Sequence, residues 1–164
     1  MSNEKSIAQD TNKKIKVAIN GFGRIGRAVF KIALNKSNIE IVAINDLTDN
    51  ATLAHLLKYD SVYGVHDKQI KSDEQNIYVA DQKIPAYSIA EPAELPWKKL
   101  GVDVVIEATG RFVKDRASEA HLKAGAKKVI LSAPAKGKGE VPTCLLGVTQ
   151  DDFAQQDIVS NASC

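Results

Sequence analysis

The sequence predicts an α/β fold: a doubly wound, mostly parallel sheet with a small antiparallel appendage. Short apolar runs typical of parallel strands buried on both faces lie at 15–19, 39–44, 102–107 and 128–131. Segments with apolar residues at helical spacing follow several of these runs. The first run passes directly into a glycine-rich turn, GFGRIG, and a helical pattern comes next. These three observations carry the prediction.

The composition is that of a globular protein in water. A chain of 164 residues can form one domain with a substantial core, or a large part of a two-domain protein. Its 44% hydrophobic and 26% charged content is typical of soluble proteins. The net charge of +2 and the lack of a long basic run do not indicate a nucleic-acid partner. No apolar segment approaches the ~20 residues that cross a bilayer, so no membrane association is predicted.

Residues 1–13 lack the apolar core of a signal peptide and are predicted to be a frayed, disordered tail, which leaves 14–164 as the domain. Two cysteines, Cys144 and Cys164, provide no disulfide framework, and a cytoplasmic location is the simplest interpretation. Cys144 lies in the apolar run TCLLGV and is expected in the core. His121 is interpreted as structural, and no metal site is predicted.

The glycine-rich turn has the spacing of a dinucleotide-binding motif. The first strand stops at Asn20, and a helix is predicted directly after the turn. In such a turn, Gly21 permits the tight bend, Gly23 lets the backbone approach a pyrophosphate, and Gly26 lets the helix pack against the strand. The unpaired N–H groups of the first helical turn would point at the phosphates. By itself the motif is a weak signal, because an ordinary glycine-rich turn has the same letters.

An acidic residue stands where a dinucleotide site needs one. The second apolar run ends in Asn45 and Asp46, and Asp46 lies twenty residues after Gly26. That separation is expected for the carboxylate that accepts hydrogen bonds from the adenosine ribose. The alternative is a helix N-cap or a turn aspartate. Strand, glycine turn, helix, strand and acid in this order favour a Rossmann-like site, and the carboxylate favours NAD over NADP because it repels a 2′-phosphate.

Further elements complete the predicted fold. A helix is predicted over 49–59, with Asp49 or Asn50 as its N-cap. The short runs IKS, NIYVA and KIPAY within 69–86 predict an antiparallel appendage rather than part of the sheet core. The remaining predicted elements are a helix over 115–125 and strands at 143–148 and 157–160.

Six stretches of the chain, taken together, resemble one family of enzymes. They are INGFGRIGR (19–27), INDLTD (44–49), LLKYDSVYG (56–64), GVDVVIEATGRF (101–112), AGAKKVILSAPA (124–135) and SNASC (160–164). In this order they resemble the NAD-binding half of phosphorylating glyceraldehyde-3-phosphate dehydrogenases. Ala90, Ala108 and Thr149 depart from the family pattern, which bears on the details of cofactor affinity.

The resemblance implies a role for each matching residue. NAD would be held by Asn20, Gly21, Phe22, Gly23, Arg24, Ile25 and Gly26 around the pyrophosphate, by Asn45 and Asp46 at the adenosine ribose, by Thr109, Gly110 and Phe112 on the adenine side, and by Ser132 near the nicotinamide end. Ser163 would contact substrate or phosphate, and Cys164 would be the nucleophile.

The implied reaction is the NAD-dependent oxidative phosphorylation of glyceraldehyde 3-phosphate to 1,3-bisphosphoglycerate in glycolysis. A cysteine thiolate attacks the aldehyde, and inorganic phosphate cleaves the thioester that forms once the hydride has left. The family's partner histidine and the helix after the nucleophile would lie beyond residue 164. The chain is therefore interpreted as the cofactor-binding half, without the catalytic domain and inactive alone. The full-length enzyme would be a homotetramer.

Other functions stay open on the sequence alone. Erythrose-4-phosphate dehydrogenase shares GFGRIGR and SNASC, and most residues that would grip the substrate are missing here. A non-catalytic NAD-binding module belongs to a different class, and a chain that stops at a nucleophile argues against it. RNA binding through the nucleotide cleft is a third alternative.

Overall fold

The computed structural model describes residues 13–145, 147–149 and 153–162. The predicted tail lies outside these residues except for Lys13. Within the described part of the chain, eight strands form one sheet and two short strands form a separate hairpin. No helix there combines the length and the apolar character that a membrane span requires.

The secondary structure elements follow the order of the chain. The described strands are β1 (Ile15–Asn20), β2 (Ile39–Asn45), β3 (Tyr59–Asp60), β4 (Gly64–Val65), β5 (Ile70–Ser72), β6 (Asn76–Val79), β7 (Gln82–Tyr87), β8 (Val104–Glu107), β9 (Lys128–Leu131) and β10 (Ile158–Ser160). The described helices are α1 (Arg24–Ala33), α2 (Asn50–Lys58), α3 (Trp97–Leu100) and α4 (Glu119–Lys123), with 3-10 turns at Pro92–Glu94 and Phe153–Gln155.

The strands of the large sheet lie in the order β10-β9-β8-β1-β2-β7-β6-β5. Every pairing from β10 across to β7 is parallel. The chain builds the sheet outward from β1, first towards β2 and β7 and then, after reversing, towards β8, β9 and β10. This reversal makes the carboxyl ends of β1 and β8 a topological switch point, where a ligand crevice is expected. The predicted doubly wound, mostly parallel sheet is confirmed.

The antiparallel strands are present, but they continue the main sheet. β6 pairs antiparallel with both β5 and β7, as predicted. The last residues of β7 also pair in parallel with β2, Ala86 with Ile44 and Tyr87 with Asn45. The prediction that KIPAY lies outside the sheet core is therefore wrong for the end of β7. The first residues of β7, Gln82 and Lys83, are exposed and pair only with β6. Their polar side chains made the segment resemble an edge strand.

The core lies on both faces of the sheet, as the apolar strand runs predict. Ala18 and Ile19, which are neighbours in β1 and point to opposite faces, are both fully buried. Ile19 belongs to a cluster with Phe22, Phe30 of α1 and Leu57 of α2. Ala18 belongs to a second cluster, built around Trp97, on the other face. Helices therefore pack against β1 on both faces of the sheet.

The ends of α2 and α4 show how well local signals define helices. Asp49 is the N-cap of α2, since its side chain accepts a hydrogen bond from the Thr52 N–H at 2.8 Å. The helix predicted over 115–125 is shorter, because α4 starts at Glu119. Asp115 and Arg116 have φ angles of +50° and +56°. A left-handed backbone at two successive residues cannot continue a right-handed helix, so this part of the segment forms turns.

Two expectations near the end of the chain are wrong. The described residues of 143–148 form no strand, because Thr143 makes only an isolated bridge to Ser160. Cys144 is half-buried and belongs to none of the core clusters, so it is not a core residue. The strand predicted at 157–160 is confirmed as β10, which pairs with β9.

Candidate functional site

A crevice of about 280 Å³ opens at the carboxyl edge of the sheet, over the switch point. Its walls come from the turns that follow β1, β2, β7 and β8, although the lining residues Asn20 and Phe112 are 92 residues apart in the sequence. The lining residues are Asn20, Gly21, Gly23, Asn45, Asp46, Leu47, Ile89, Ala90, Ala108, Thr109, Arg111 and Phe112.

The glycine turn between β1 and α1 is sterically fixed at two of its three glycines. Gly21 has φ +90°, and a Cβ built on it would lie 2.6 Å from the backbone nitrogen of Thr109. A Cβ on Gly26 would overlap the carbonyl oxygen of Gly21. The fold itself therefore requires glycine at positions 21 and 26, for the tight bend and for helix packing as predicted.

Gly23 differs from the other two glycines. A Cβ built on it would meet no protein atom within 4 Å, and the residue lines the crevice. The protein does not need a glycine here for its own packing. A ligand that approaches the backbone closely does, which fits a pyrophosphate at this point.

The start of α1 provides the electrostatics for an anion. Gly23 is the N-cap without a capping side chain, and the first turn of α1 contains no acidic residue. The first N–H groups of a helix have no intrahelical partner and carry the positive end of the helix dipole. The Arg27 side chain stabilises the turn, because its Nη1 donates a hydrogen bond to the carbonyl oxygen of Phe22 at 2.9 Å. Burial lowers the pKa of Arg27, an effect opposed by the carboxylate of Asp60.

Asp46 is held at the end of β2 by backbone donors. Its Oδ2 accepts from the Phe22 N–H at 2.7 Å, and its Oδ1 accepts from the Thr48 N–H at 3.0 Å. The carboxylate therefore closes a turn and also ties the glycine turn to β2. Each oxygen keeps a lone pair for a further donor, and the residue lines the crevice. The turn interpretation and the ribose interpretation are compatible.

The structure brings together seven of the thirteen predicted cofactor residues as crevice lining: Asn20, Gly21, Gly23, Asn45, Asp46, Thr109 and Phe112. Phe22 is fully buried, with its ring edge-on to Phe30 at a centroid distance of 5.3 Å. Only the backbone of Phe22 can therefore face a ligand. Arg24 is 3.7 Å from Asp60, and Ile25 is half-exposed.

Gly26, Gly110 and Ser132 also lie outside the crevice lining. Ser132 follows β9 at the same edge of the sheet, where its N–H donates to the Glu107 carbonyl at 3.0 Å. The predicted substrate residue Ser163 and the predicted nucleophile Cys164 lie outside the described residues.

Five lining residues were not among the predicted cofactor residues: Leu47, Ile89, Ala90, Ala108 and Arg111. Ile89 and Ala90 follow β7. They were not expected at the site, because β7 was predicted to belong to an appendage outside the sheet core. Ala90 and Ala108 were noticed only as departures from a family pattern. Arg111 directly follows the predicted Gly110, and its positive charge beside a candidate phosphate site was the available signal.

A buried carboxylate lies beneath the crevice. Glu107, the last residue of β8, is 1% exposed. Burial by itself would raise the pKa of Glu107, but hydrogen bonds from His121, Thr109 and Asn20 outweigh it and lower the pKa. A buried negative charge, surrounded by donors, therefore lies behind the lining residues Asn20 and Thr109.

Residues 15–115 match the family model described as glyceraldehyde 3-phosphate dehydrogenase, NAD binding domain. The chain belongs to the glyceraldehyde 3-phosphate dehydrogenase family. The match extends from the start of β1 past the end of β8, so it includes every turn that lines the crevice. The predicted resemblance to this family and the predicted cofactor, NAD, are confirmed.

Curated relatives from bacteria carry the same family name. Glyceraldehyde-3-phosphate dehydrogenase 1 of Bacillus cereus is 52% identical over 151 residues, which cover 91% of this chain and 45% of the relative. Glyceraldehyde-3-phosphate dehydrogenase of Geobacillus stearothermophilus is 51% identical over 152 residues, which cover 92% of this chain and 45% of the relative. That of Escherichia fergusonii is 50% identical over 150 residues, with the same coverage. The chain thus spans about half the length of the relatives it matches.

The different surroundings of Gly23 and Gly26 lead to a paired prediction. Gly23→Ser adds a good N-cap residue in open space, so the unfolding temperature should stay within a few degrees of the unmodified chain. NAD affinity should fall by about tenfold or more, because the added side chain would occupy the space in which a pyrophosphate is expected. Gly26→Ser should instead lower the stability by about 1–3 kcal/mol, since the helix is pushed off the turn.

Thermal unfolding followed by circular dichroism and calorimetric titration with NAD measure the two effects. Equal NAD affinity of Gly23→Ser and the unmodified chain would contradict the placement of the pyrophosphate at this turn.

Proposed function

We propose that the chain is the cofactor-binding half of an NAD-dependent phosphorylating dehydrogenase, which oxidises glyceraldehyde 3-phosphate to 1,3-bisphosphoglycerate in glycolysis. The observation that carries this proposal is the crevice at the switch point, bordered by the glycine turn and Asp46, in a domain that matches this family's model. The family resemblance further supports a cytoplasmic enzyme that is a homotetramer at full length.

The residues present fit the adenine dinucleotide. The open space beside Gly23 and the first-turn N–H groups of α1 suit a pyrophosphate. Asp46 is an acceptor fixed at the end of β2, which suits the hydroxyls of the adenosine ribose. Phe112 and Ala90 provide apolar lining for the adenine. We assign Ser132, further along the same edge, to the nicotinamide end.

The proposed chemistry needs a thiol. The Cys164 thiolate forms a carbon–sulfur bond with the aldehyde carbon, and the carbonyl oxygen takes a proton to give a hemithioacetal. Loss of a hydride from the hemithioacetal carbon and of the hydroxyl proton leaves a thioester on Cys164, and NAD, when bound, would supply the hydride acceptor. Inorganic phosphate then forms a bond to the thioester carbon and displaces the Cys164 thiolate, which yields an acyl phosphate. Ser163 is assigned to contact substrate or phosphate.

We expect a polypeptide made of these 164 residues alone to bind NAD without turning over aldehyde. Such a polypeptide would carry a free carboxylate on Cys164, which would disfavour the thiolate because the two negative charges repel each other. The measurement is NADH absorbance with glyceraldehyde 3-phosphate, phosphate and NAD, and Cys164→Ser is the control. NADH production above that control would contradict the expectation.

Cofactor choice provides a second test. The Asp46 carboxylate should repel a 2′-phosphate, so NAD should bind at least about tenfold more tightly than NADP, a difference of about 1.4 kcal/mol. Asp46→Asn keeps one acceptor for the backbone donors and removes the charge, so it should reduce this preference. Asp49→Asn is the matched control, since it removes a nearby charge while keeping a good N-cap.

Calorimetric titration of all three proteins with both dinucleotides gives the comparison. An unchanged preference for NAD in Asp46→Asn, or a loss of preference in Asp49→Asn, would count against the proposed role of Asp46.

A further inference from the structure

The buried carboxylate of Glu107 is the centre of a hydrogen-bond network beneath the crevice. Its Oε1 accepts from the backbone N–H of Thr109 at 2.8 Å and from the Thr109 hydroxyl. Its Oε2 accepts from Asn20 Nδ2 at 2.6 Å and contacts His121 Nε2 at 2.9 Å. The two partner side chains that come from other elements, Asn20 of β1 and His121 of α4, are buried.

The orientation of this network is fixed at its first end by Trp97. The indole Nε1 of Trp97 lies 3.0 Å from His121 Nδ1. An indole N–H can only donate, so Nδ1 of His121 has to accept. The imidazole is therefore neutral with its proton on Nε2, and Nε2 donates to Glu107. The 3.4 Å approach of Asn20 Nδ2 to His121 Nε2 is then a contact between two donors that share one carboxylate oxygen.

The other end of the network is fixed by the backbone of Ile89. Asn45 accepts from the Ile89 N–H through Oδ1 and donates to the Ile89 carbonyl through Nδ2, each at 2.9 Å. This pair leaves only one orientation of the Asn45 amide. Asn45 Nδ2 also donates to Asn20 Oδ1 at 2.7 Å, so the amide of Asn20 must turn its own Nδ2 towards Glu107.

All four groups that contact the Glu107 carboxylate donate to it, and three of them cannot reverse: the Thr109 backbone N–H, Asn20 Nδ2 and His121 Nε2. The Thr109 hydroxyl can also accept, but each carboxylate oxygen still faces at least one fixed donor. An ionised carboxylate accepts at both of its oxygens. A glutamine of the same shape would place an N–H against another donor in either orientation.

The network ends at the walls of the crevice. Asn20, Asn45 and Thr109 all line it, and their polar groups are engaged by the network below. Phe112, on the same wall, packs edge-on to His121 with ring centroids 6.3 Å apart. The turn at Thr109 also lies against Gly21, where no Cβ would fit. A shift of Thr109 would therefore move the turn that faces the pyrophosphate.

We infer that Glu107 is a positioning residue for NAD binding, holding the Thr109 turn and Asn20 in place through a one-directional hydrogen-bond network that begins at Trp97. This inference rests on the crevice being the NAD site proposed above. Trp97 and His121 would determine which atoms donate to Glu107, and neither would contact the cofactor.

The test is a pair of substitutions whose effects should oppose each other. Glu107→Gln should raise the Kd for NAD by about tenfold or more, because buried donors lose their acceptor. Trp97→Phe in the Glu107→Gln background removes the indole donor, so His121 can carry its proton on Nδ1 and accept from the introduced glutamine through Nε2. This removes one of the two donor–donor contacts at that position, whereas the contact with Asn20 Nδ2 remains. The double variant should bind NAD more tightly than Glu107→Gln alone, although Trp97→Phe by itself lowers the unfolding temperature.

Calorimetric titration is made at a temperature at which circular dichroism shows each variant folded. Glu119→Gln, which removes an exposed carboxylate of α4, is the matched control and should bind NAD normally. If Glu107 and Trp97 contribute only to packing, adding Trp97→Phe to Glu107→Gln should weaken NAD binding further. That result, or unmodified affinity in Glu107→Gln, overturns the inference.

The unmodified chain provides an independent readout if Glu107→Gln does not fold. Nitrogen-15 NMR of His121 should show a neutral ring with the proton on Nε2, and either the Nδ1–H form or an imidazolium overturns the inference. The two proposals fail separately. Loss of NAD binding in Gly23→Ser with normal binding in Glu107→Gln removes only the role of Glu107, whereas normal binding in Gly23→Ser removes the crevice as the NAD site.

Discussion

The close contact between the turn after β1 and the turn after β8 determines the shape of the crevice. Gly21 adopts a positive φ, and its backbone lies directly against Ala108 and Thr109, with no room for a side chain. The same turn is tied to the end of β2, because the Gly21 N–H donates to the Asn45 carbonyl at 2.8 Å and Asp46 accepts from the Phe22 N–H. The carboxyl ends of β1, β2 and β8 are therefore held in contact, and the start of α1 at Gly23 faces the open crevice.

The sheet order explains why the contact occurs at this place. β1 lies between β2 and β8, and the chain reverses its direction of growth there, so the turns on either side diverge and leave a crevice. Many proteins share such a sheet, and fold alone does not define function. The family match places the chain among the glyceraldehyde 3-phosphate dehydrogenases, and the glycine turn and Asp46 border its crevice. The roles of these residues and of Cys164 are proposals.

The sequence predicted the elements that depend on local patterns. The strands β1, β2, β8 and β9 were predicted from their apolar runs, and the N-cap of α2 was predicted as Asp49 or Asn50, because burial on both faces and capping act over a few residues. The role of β7 was missed, since its pairing with β2 joins segments far apart in the chain. The helix start at Glu119 was misplaced because apolar spacing does not reveal a left-handed backbone at Asp115. The Glu107 network was equally hidden, because its hydrogen bond to Asn20 spans 87 residues.

NAD bound in the crevice would lie between these turns, and a titration of the nitrogen-15-labelled chain with NAD, followed by amide NMR, tests this placement. The largest shifts should fall on Gly23 and the first turn of α1, on Asp46 and Leu47 after β2, and on Thr109 to Phe112 after β8. Shifts concentrated at the opposite, amino-terminal edge of the sheet, or the absence of saturable shifts, would contradict it.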